Sequence, residues 1–188
     1  MSKSILIHEN GGPEKMQFED VEVGKPGPGQ VKLRHTAIGL NFIDVYTRSG
    51  LYQTPLPNAV GREAAGVIVE VGPRVKGFKK GDRVAYCGVL GAYCQERVMG
   101  VDQLVKVPAG VSDEQAAAIM LKGMTTEYLV DRTAKAWLKK GDTILFHAAA
   151  GGVGLLFGQW AKARGYKVIG TTSSPEKAAL AKKNGYKW

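Results

Sequence analysis

The sequence predicts a protein of mixed class, in which a β-rich, barrel-type part is followed by the start of a parallel α/β sheet. Two observations lead to this prediction. Short apolar runs at close spacing, separated by turn formers, fill the region up to residue 107 and are typical of small barrels. From residue 143 onward the pattern changes to strand, helix, strand and helix, which is how a parallel sheet begins.

Alternation of apolar and polar residues predicts the strands of the first part. Glycine and proline clusters, such as those at residues 24–29 and 77–82, predict the turns between them. Strands are expected at residues 4–7, 16–23, 30–37, 63–71, 83–86, 93–99 and 103–107, with a short helix at 41–48.

Helix signals dominate after residue 111. Ser112 and Gln115 have the spacing of a capping box, and a long helix is expected over residues 116–133, in which Gly123 could mark a break. Strands are then expected at 143–147 and 167–170, and helices at 151–164 and 174–184, the first ending at Gly165 and the second opened by Ser174 and Pro175. Two parallel strands leave an open sheet edge, so the chain is expected to be the first part of a longer fold.

The composition is that of a folded protein outside membranes. The 188 residues are 44% hydrophobic and carry 26 Lys and Arg against 17 Asp and Glu, a net charge of +9. There is no apolar run of about 18 residues, and the N-terminus lacks the apolar core of a signal peptide. Cys87 and Cys94 cannot form a disulfide framework or a four-cysteine zinc site, so we expect a reducing, cytoplasmic location.

The positive charge is concentrated in the second part. Residues 125–188 hold 11 Lys or Arg against 4 Asp or Glu, whereas residues 1–124 hold 15 against 13. Such an excess can serve nucleic acid, a membrane surface or an anionic ligand, or be simply a solvated surface. The lysines form no run of five and few aromatic residues interleave with them, so RNA is the weaker partner hypothesis.

The loop at residues 147–154 carries the chemistry. Gly151 and Gly154 match the second and third glycines of the dinucleotide fingerprint, and Ala149 takes the place of the first. The loop lies between a predicted strand and a predicted helix, whose free amides and partial positive charge favour a pyrophosphate. A glycine-rich turn in another kind of α/β domain is the alternative.

The end of the second strand predicts the type of dinucleotide. NAD sites carry an acid about 20 residues after the glycines, which binds the ribose hydroxyls. Residues 170–175 contain no acid, whereas Ser173, Ser174 and Lys177 offer donors and positive charge that suit the 2′-phosphate of NADPH. Ser174 could equally be a helix cap and Lys177 a surface lysine, and both roles can coexist.

Several short motifs together resemble the zinc-free quinone oxidoreductases, the NADPH:quinone reductases of zeta-crystallin type in the medium-chain dehydrogenase/reductase superfamily. The resemblance covers nearly the whole chain, which is similar to the first three-fifths of a family member. The motifs lie at residues 11–14, 39–44 with Tyr46, 48–52, 63–66, 81–84, 121–125 and 147–154.

The resemblance implies a GroES-like catalytic domain at residues 1–124, followed by the first part of an NADP-binding Rossmann domain at residues 125–188. It implies an active site in the cleft between them, with NADPH as the cofactor. Carried over by motif, the residues lining the nicotinamide side would be Asn41, Phe42, Ile43, Asp44 and Tyr46, with Tyr52 near the quinone. Those touching the rest of the cofactor would be Tyr128, Gly151, Gly152, Val153, Gly154, Ser173, Ser174 and Lys177.

The resemblance also implies catalysis without metal. Zinc-dependent relatives have a Gly-His-Glu signature, which here is Gly61-Arg62-Glu63, and no cysteine lies near Asn41. A quinone is already electrophilic, so its reduction requires mainly orientation and a donor to the developing oxyanion. Asn41, Tyr46 and Tyr52 are the candidate catalytic donors, or they only line the pocket.

The leading hypothesis is therefore an NADPH:quinone oxidoreductase. An NADPH-dependent enoyl or alkenal reductase of the same superfamily is the close alternative, and a non-catalytic RNA-binding or crystallin-like protein is the distant one. The resemblance implies a homodimer for the full-length family member, which this chain alone is not expected to form. It also leaves open that the chain is an inactive truncation.

Overall fold

The computed structural model describes residues 1–187 and consists of two compact units. The first is Met1–Met120 and the second starts at Leu121. Among the described residues, no helix combines the length and the apolar character that a bilayer crossing requires.

The first unit is built from antiparallel strands and confirms the β-rich prediction. Three strands form one sheet in the order β2-β1-β4, and five form the other in the order β7-β3-β5-β6-β8. Their bounds are β1 Ser2–Ile7, β2 Gln17–Val21, β3 Gln30–Gly39, β4 Asn58–Ala59, β5 Glu63–Val71, β6 Arg83–Cys87, β7 Glu96–Gly100 and β8 Val105–Lys106. A short helix, α1, spans Phe42–Ser49.

The main hydrophobic core of the first unit lies on one face of the five-stranded sheet, and a smaller cluster that includes Ala65 and Ala85 packs against the helix at Asp113–Glu127 on the other. On β3, Val31 and Leu33 are fully buried whereas Arg34 is exposed, as the alternation predicts. Ile68 and Tyr86, from the two strands that follow β3 in the sheet, complete this core. The predicted strand at 103–107 is reduced to the two residues of β8, because a 3-10 turn at Val101–Gln103 precedes it.

Helix α2 spans Asp113–Glu127 and begins at the predicted capping box. The Ser112 amide donates to Gln115 Oε1 at 2.9 Å, and the Gln115 amide donates to Ser112 Oγ at 3.1 Å. The break suggested at Gly123 is wrong, since the helix runs through it. A glycine costs only about 1 kcal/mol in a helix interior, which does not interrupt the hydrogen bonds of a helix of this length.

After α2 the backbone widens into a π-helix at Tyr128–Ala134, which the sequence did not predict. A short helix, α3, at Lys135–Trp137 follows. Asp131 connects the π-helix to the helix α4 at Gly152–Ala163, because it accepts hydrogen bonds from Trp160 Nε1 at 3.1 Å and from Arg164 Nη2 at 2.6 Å. The Arg164 guanidinium lowers the pKa of Asp131.

The rest of the second unit confirms the predicted α/β alternation. Strand β9 at Thr143–Phe146 leads into α4, and strand β10 at Lys167–Gly170 leads into helix α5 at Pro175–Lys183. The two strands pair in parallel, with Lys167 opposite Thr143. Beyond α5, the Lys187 amide donates to Val168 O at 2.9 Å, so the backbone returns to β10.

Tyr186 closes the core of this unit. Its ring is buried, and its hydroxyl donates to Gly154 O at 2.8 Å. A Cβ atom at Gly158 on α4, or at Gly170 at the end of β10, would overlap this ring. The two glycines therefore create the space that the tyrosine fills.

Candidate functional site

The loop between β9 and α4 has the geometry of an anion site. Gly151 is the N-cap of α4, and the first helical hydrogen bond runs from the Leu155 amide to Gly151 O at 2.9 Å. The three amides of Gly152, Val153 and Gly154 precede this bond and therefore have no partner within the helix. They carry the partial positive charge of the helix start.

Gly154 allows α4 to approach the loop closely. A Cβ atom there would lie 2.5 Å from Ala148 O and 2.6 Å from Ala149 O, which are backbone atoms that cannot move aside. This is the packing that the third glycine of the fingerprint permits. At Gly152, by contrast, a Cβ would meet only the flexible end of the Lys122 side chain.

Thr171 holds the loop in place, and the sequence analysis missed it. Its carbonyl accepts from the Ala149 amide at 3.0 Å, and its Oγ1 accepts from the Ala148 amide at 3.3 Å. His147 Nδ1 lies 3.1 Å from the same hydroxyl oxygen. Ala148 has a φ of 54°, in the left-handed region that disfavours a side chain. Thr171 could have been found from the sequence, because it is a hydroxyl residue at the carboxyl end of a predicted parallel strand, where ligands bind in such sheets.

A cavity of about 380 Å³ lies between this loop and the end of β10. Lys177 Nζ donates to Ser173 Oγ at 2.9 Å at its edge. A positive charge beside a hydroxyl suits a phosphate monoester, so the residues present fit the 2′-phosphate of NADPH. The lining residues are Ala148, Ala150, Gly151, Thr171, Thr172, Ser173 and Lys177.

Ser174 has the capping role, one of the two predicted for it. It is the N-cap of α5, and its Oγ accepts from the Lys177 amide at 3.3 Å. Its hydroxyl also lowers the pKa of Glu176. It does not line the cavity, so of the three residues predicted to hold the phosphate, Ser173 and Lys177 are the ones positioned at the cavity.

In the first unit, the predicted aromatic residues form a row at α1. The rings of Phe42 and Tyr46 are 5.2 Å apart edge to face, and those of Tyr46 and Tyr52 are 5.4 Å apart. Phe42 is 70% exposed and Tyr52 is 49% exposed, so the row presents a surface on which a flat ring can stack. Ile43, also predicted for this site, is half-buried.

Asn41 and Asp44, in contrast, are buried at the start of α1. Asn41 Nδ2 donates to Glu63 Oε2 at 2.6 Å, and the Asn41 amide donates to Asp44 Oδ2 at 3.0 Å. Tyr93 donates its hydroxyl to the same Asp44 oxygen at 2.9 Å, and burial together with the Asp44 charge raises the pKa of Tyr93. Glu63 and Tyr93 were not predicted as site residues, although a charged residue opening the apolar strand β5 was a visible signal.

Tyr128, the predicted cofactor contact on the long helix, opens the π-helix and is 48% exposed. Because π-helical turns are frequent at functional sites, this position agrees with a ligand-facing role.

A metal site is not found among residues 1–187, in which no three His, Cys, Asp or Glu side chains are grouped to hold an ion. Cys87 and Cys94 form no disulfide. Arg62, which replaces the histidine of the zinc signature, donates to Gly88 O at 3.3 Å.

His35 is a half-buried structural residue. Its Nδ1 donates to Cys94 O at 2.7 Å, because a carbonyl can only accept, and its Nε2 accepts from the Tyr86 hydroxyl at 3.0 Å. Burial lowers the pKa of His35 to about 4, so the ring is neutral near neutral pH.

Two family models match the chain. The alcohol dehydrogenase GroES-like domain matches residues 27–142, and the zinc-binding dehydrogenase domain matches residues 152–188. Their order confirms the predicted fold class, a GroES-like domain followed by the start of a Rossmann-type domain.

Named relatives agree with these matches. The chain is 54% identical over 187 residues to the quinone oxidoreductase of Pseudomonas aeruginosa, covering 98% of this chain and 57% of the relative. It is 49% identical to the 2-haloacrylate reductase of a Burkholderia species, with coverage of 98% and 57%. The solved structure of the Escherichia coli quinone oxidoreductase complexed with NADPH has a TM-score of 0.93 and 46% identity, covering 98% of this chain and 56% of that chain. The chain thus spans a little over half the length of these relatives.

Proposed function

We propose, from the premise that the chain belongs to the family of alcohol dehydrogenase GroES-like domains, that the protein is a zinc-free NADPH:quinone oxidoreductase. The observation that carries the proposal is the pairing of a dinucleotide loop with Lys177 and Ser173 at one cavity, in a chain 54% identical to a quinone oxidoreductase.

The second unit would hold NADPH through two groups of donors. The first-turn amides of α4, at Gly152, Val153 and Gly154, would bind the pyrophosphate. Lys177 and Ser173 would bind the 2′-phosphate, with Thr171 keeping the loop closed against β10. An NADPH complex of a relative with 46% identity supports this cofactor.

The first unit would bind the acceptor. The exposed row of Phe42, Tyr46 and Tyr52 offers ring faces for a flat quinone and two phenol donors for a carbonyl oxygen. NADPH, when bound, supplies the hydride. The tyrosine hydroxyls would then stabilise the oxyanion that develops on the acceptor, which is the task a metal performs in zinc-dependent relatives.

A second acceptor class is supported by a specific observation. The chain is 49% identical to a 2-haloacrylate reductase, whose named substrate is a conjugated acid. A quinone and a conjugated acid both have a double bond conjugated to a carbonyl group, so the two proposals use one site and differ in the shape and charge of the acceptor.

Steady-state oxidation of NADPH by the intact protein tests the proposal. A para-quinone, 2-chloroacrylate and an unsaturated ketone would be compared, and the quinone is expected to have the highest kcat/KM. Turnover of 2-chloroacrylate or of the unsaturated ketone alone would replace the quinone assignment, and turnover of none would overturn the enzyme proposal.

The zinc-free part has its own test. Elemental analysis of the purified intact protein should find no stoichiometric zinc, because Arg62 occupies the ligand position and two cysteines are too few for a four-cysteine site. About one tightly held zinc per chain would overturn the zinc-free assignment.

A cytoplasmic location is also part of the proposal. Cys87 and Cys94, which form no disulfide, support it.

A further inference from the structure

Glu63 is a carboxylate in an unusual place. It is the first residue of β5 and is fully buried. Removing a carboxylate from water costs free energy, and an apolar side chain would fill the same space without that cost. Buried carboxylates beside a candidate site are frequently functional, so the position calls for a reason other than packing.

The surrounding backbone makes room for this carboxylate. A Cβ atom at Gly39, the last residue of β3, would overlap both the Glu63 carboxylate and the Ala117 carbonyl. Strand β3 and helix α2 therefore close around Glu63 only because residue 39 is a glycine. The arrangement limits where the carboxylate can point.

Glu63 fixes which way the Asn41 amide faces. A carboxylate only accepts hydrogen bonds, so the atom 2.6 Å from Glu63 Oε2 must be the Asn41 amide nitrogen and not its oxygen. The backbone amide of Asn41 is held separately by Asp44, at 3.0 Å, and Asp44 is held by Tyr93. Asn41 is thus held at its side chain and at its main chain by two buried carboxylates.

We propose that Glu63 is a positioning residue, which holds the Asn41 amide in one orientation for the electrophilic carbonyl acceptor that stacks on the row of Phe42, Tyr46 and Tyr52. This inference rests on the proposed function. A neutral amide at residue 63 can donate as well as accept, so Asn41 could then turn its oxygen inward. In the molecules in which Asn41 has turned, the acceptor would meet a different amide geometry.

The test uses Glu63→Gln in the intact protein, with Glu70→Gln as the matched control. Glu70 lies on the same strand and pairs with Lys32 at 3.3 Å, away from Asn41. Glu63→Gln should lower kcat for a para-quinone about tenfold with little change in KM, in Tm or in the Kd of NADPH. Glu70→Gln should leave all four unchanged. An unchanged kcat in Glu63→Gln would overturn the proposal.

A paired exchange separates positioning from support of the fold. When Glu63→Gln is combined with Asn41→Asp, the new amide on β5 can donate to the new carboxylate at the start of α1. The hydrogen bond is then restored with reversed direction. We expect a Tm like that of the starting protein but a kcat at least tenfold lower. Recovery of both Tm and kcat would show a merely structural role.

The orientation is also measurable without turnover. In the ¹⁵N-labelled intact protein, one side-chain amide proton of Asn41 should be shifted downfield by the carboxylate, and Glu63→Gln should abolish this shift. The same spectrum in both proteins would overturn the positioning role. If the starting protein reduces no acceptor but the shift is present, the proposed function fails while the orientation by Glu63 stands.

Discussion

Lys177 Nζ donates a hydrogen bond of 2.9 Å to the hydroxyl of Ser173, so a positive charge is held at the mouth of the cavity beside the dinucleotide loop. The lysine is exposed and reaches across the first turn of α5. Under the proposed function this pair would distinguish NADPH from NADH, which differ at the 2′-phosphate alone.

Lys177→Ala should therefore weaken NADPH more than NADH. We expect the Kd of NADPH to rise about tenfold, since hydrogen bonds to charged groups contribute roughly 1.5–3 kcal/mol and solvent screens an exposed lysine. Fluorescence titration of the intact protein measures both constants. Lys183→Ala, in the last turn of the same helix, is the matched control and should change neither. Equal weakening of both cofactors would exclude the 2′-phosphate assignment.

Gly154→Ala should disrupt the loop. The added Cβ would lie 2.5 Å from Ala148 O, so α4 must move away from the loop, at a cost of about 1–3 kcal/mol for overpacking. The Kd of NADPH should rise more than tenfold. Gly24→Ala serves as the control, because Gly24 is an exposed residue of the first unit at which an added Cβ would meet no atom within 4 Å. Similar affinities in the two variants would refute the close-packing role of Gly154.

Tyr52→Phe tests the phenol donors while keeping the aromatic row. If the hydroxyl stabilises the oxyanion of the acceptor, kcat for a quinone should fall about tenfold or more with little change in KM. Tyr46→Phe should act in the same direction. Tyr166→Phe, in the other unit, is the control. Values of kcat within about twofold in both single variants and in their combination would leave the rings as pocket lining only.

His35 makes stability depend on pH. Its folded pKa of about 4 lies below the value of about 6.5 expected in the unfolded chain, so between these values only the unfolded chain takes up the proton. The stabilisation is complete above about pH 6.5 and is lost as the pH falls, so that about 3 kcal/mol of it is gone by pH 4.

His35→Gln should flatten this acid loss in urea unfolding of the intact protein between about pH 7 and 4. The exposed His8, which pairs with Glu19 at 2.6 Å, provides the control. His8→Gln should keep the slope of the starting protein. If both variants lose stability at low pH in parallel with the starting protein, groups other than His35 must be responsible for the acid loss.

The 188-residue chain by itself should self-associate and have little activity. Within residues 1–187, strand β10 pairs with β9 in a sheet of two strands. Beyond that pairing, its backbone has the hydrogen bond from the Lys187 amide to Val168 O. Unpaired strand edges recruit other chains. Light scattering should show a mass that rises with concentration, with weak NADPH binding and little quinone turnover. A defined dimer with the turnover of a full-length relative would contradict this expectation.

Local patterns predicted the elements well, and pairings distant in sequence were missed. The alternation in β3 and the capping box of Ser112 with Gln115 depend on neighbours a few residues apart, so the sequence contains them directly. The π-helix at Tyr128–Ala134 contains Asp131, which accepts a hydrogen bond from Trp160 of α4, a contact distant in sequence that no local pattern reports. The Gly123 break failed for a related reason, because its small local cost was outweighed by the helix around it.

The candidate site divides in the same way. The glycine loop and Lys177 were visible because their chemistry follows from spacing along one β-α-β-α stretch. Glu63 could not be assigned to Asn41, since 22 residues separate them and only the pairing of β3 with β5 brings them together. Thr171 was likewise a plain strand-end residue until the parallel register placed it against the loop.

The fit of Tyr186 between Gly158 and Gly170 constrains how this protein can be altered. A smaller residue at Tyr186 would not make room for a larger one at either glycine, because a Cβ at Gly158 would also overlap the backbone oxygen of Asn184 and one at Gly170 would overlap the Ala149 side chain. The smaller residue would in addition remove the hydrogen bond to Gly154 O, in the first turn of α4. In a randomised library selected for cofactor binding, both glycines should therefore be retained, and engineering of cofactor preference should leave all three positions untouched.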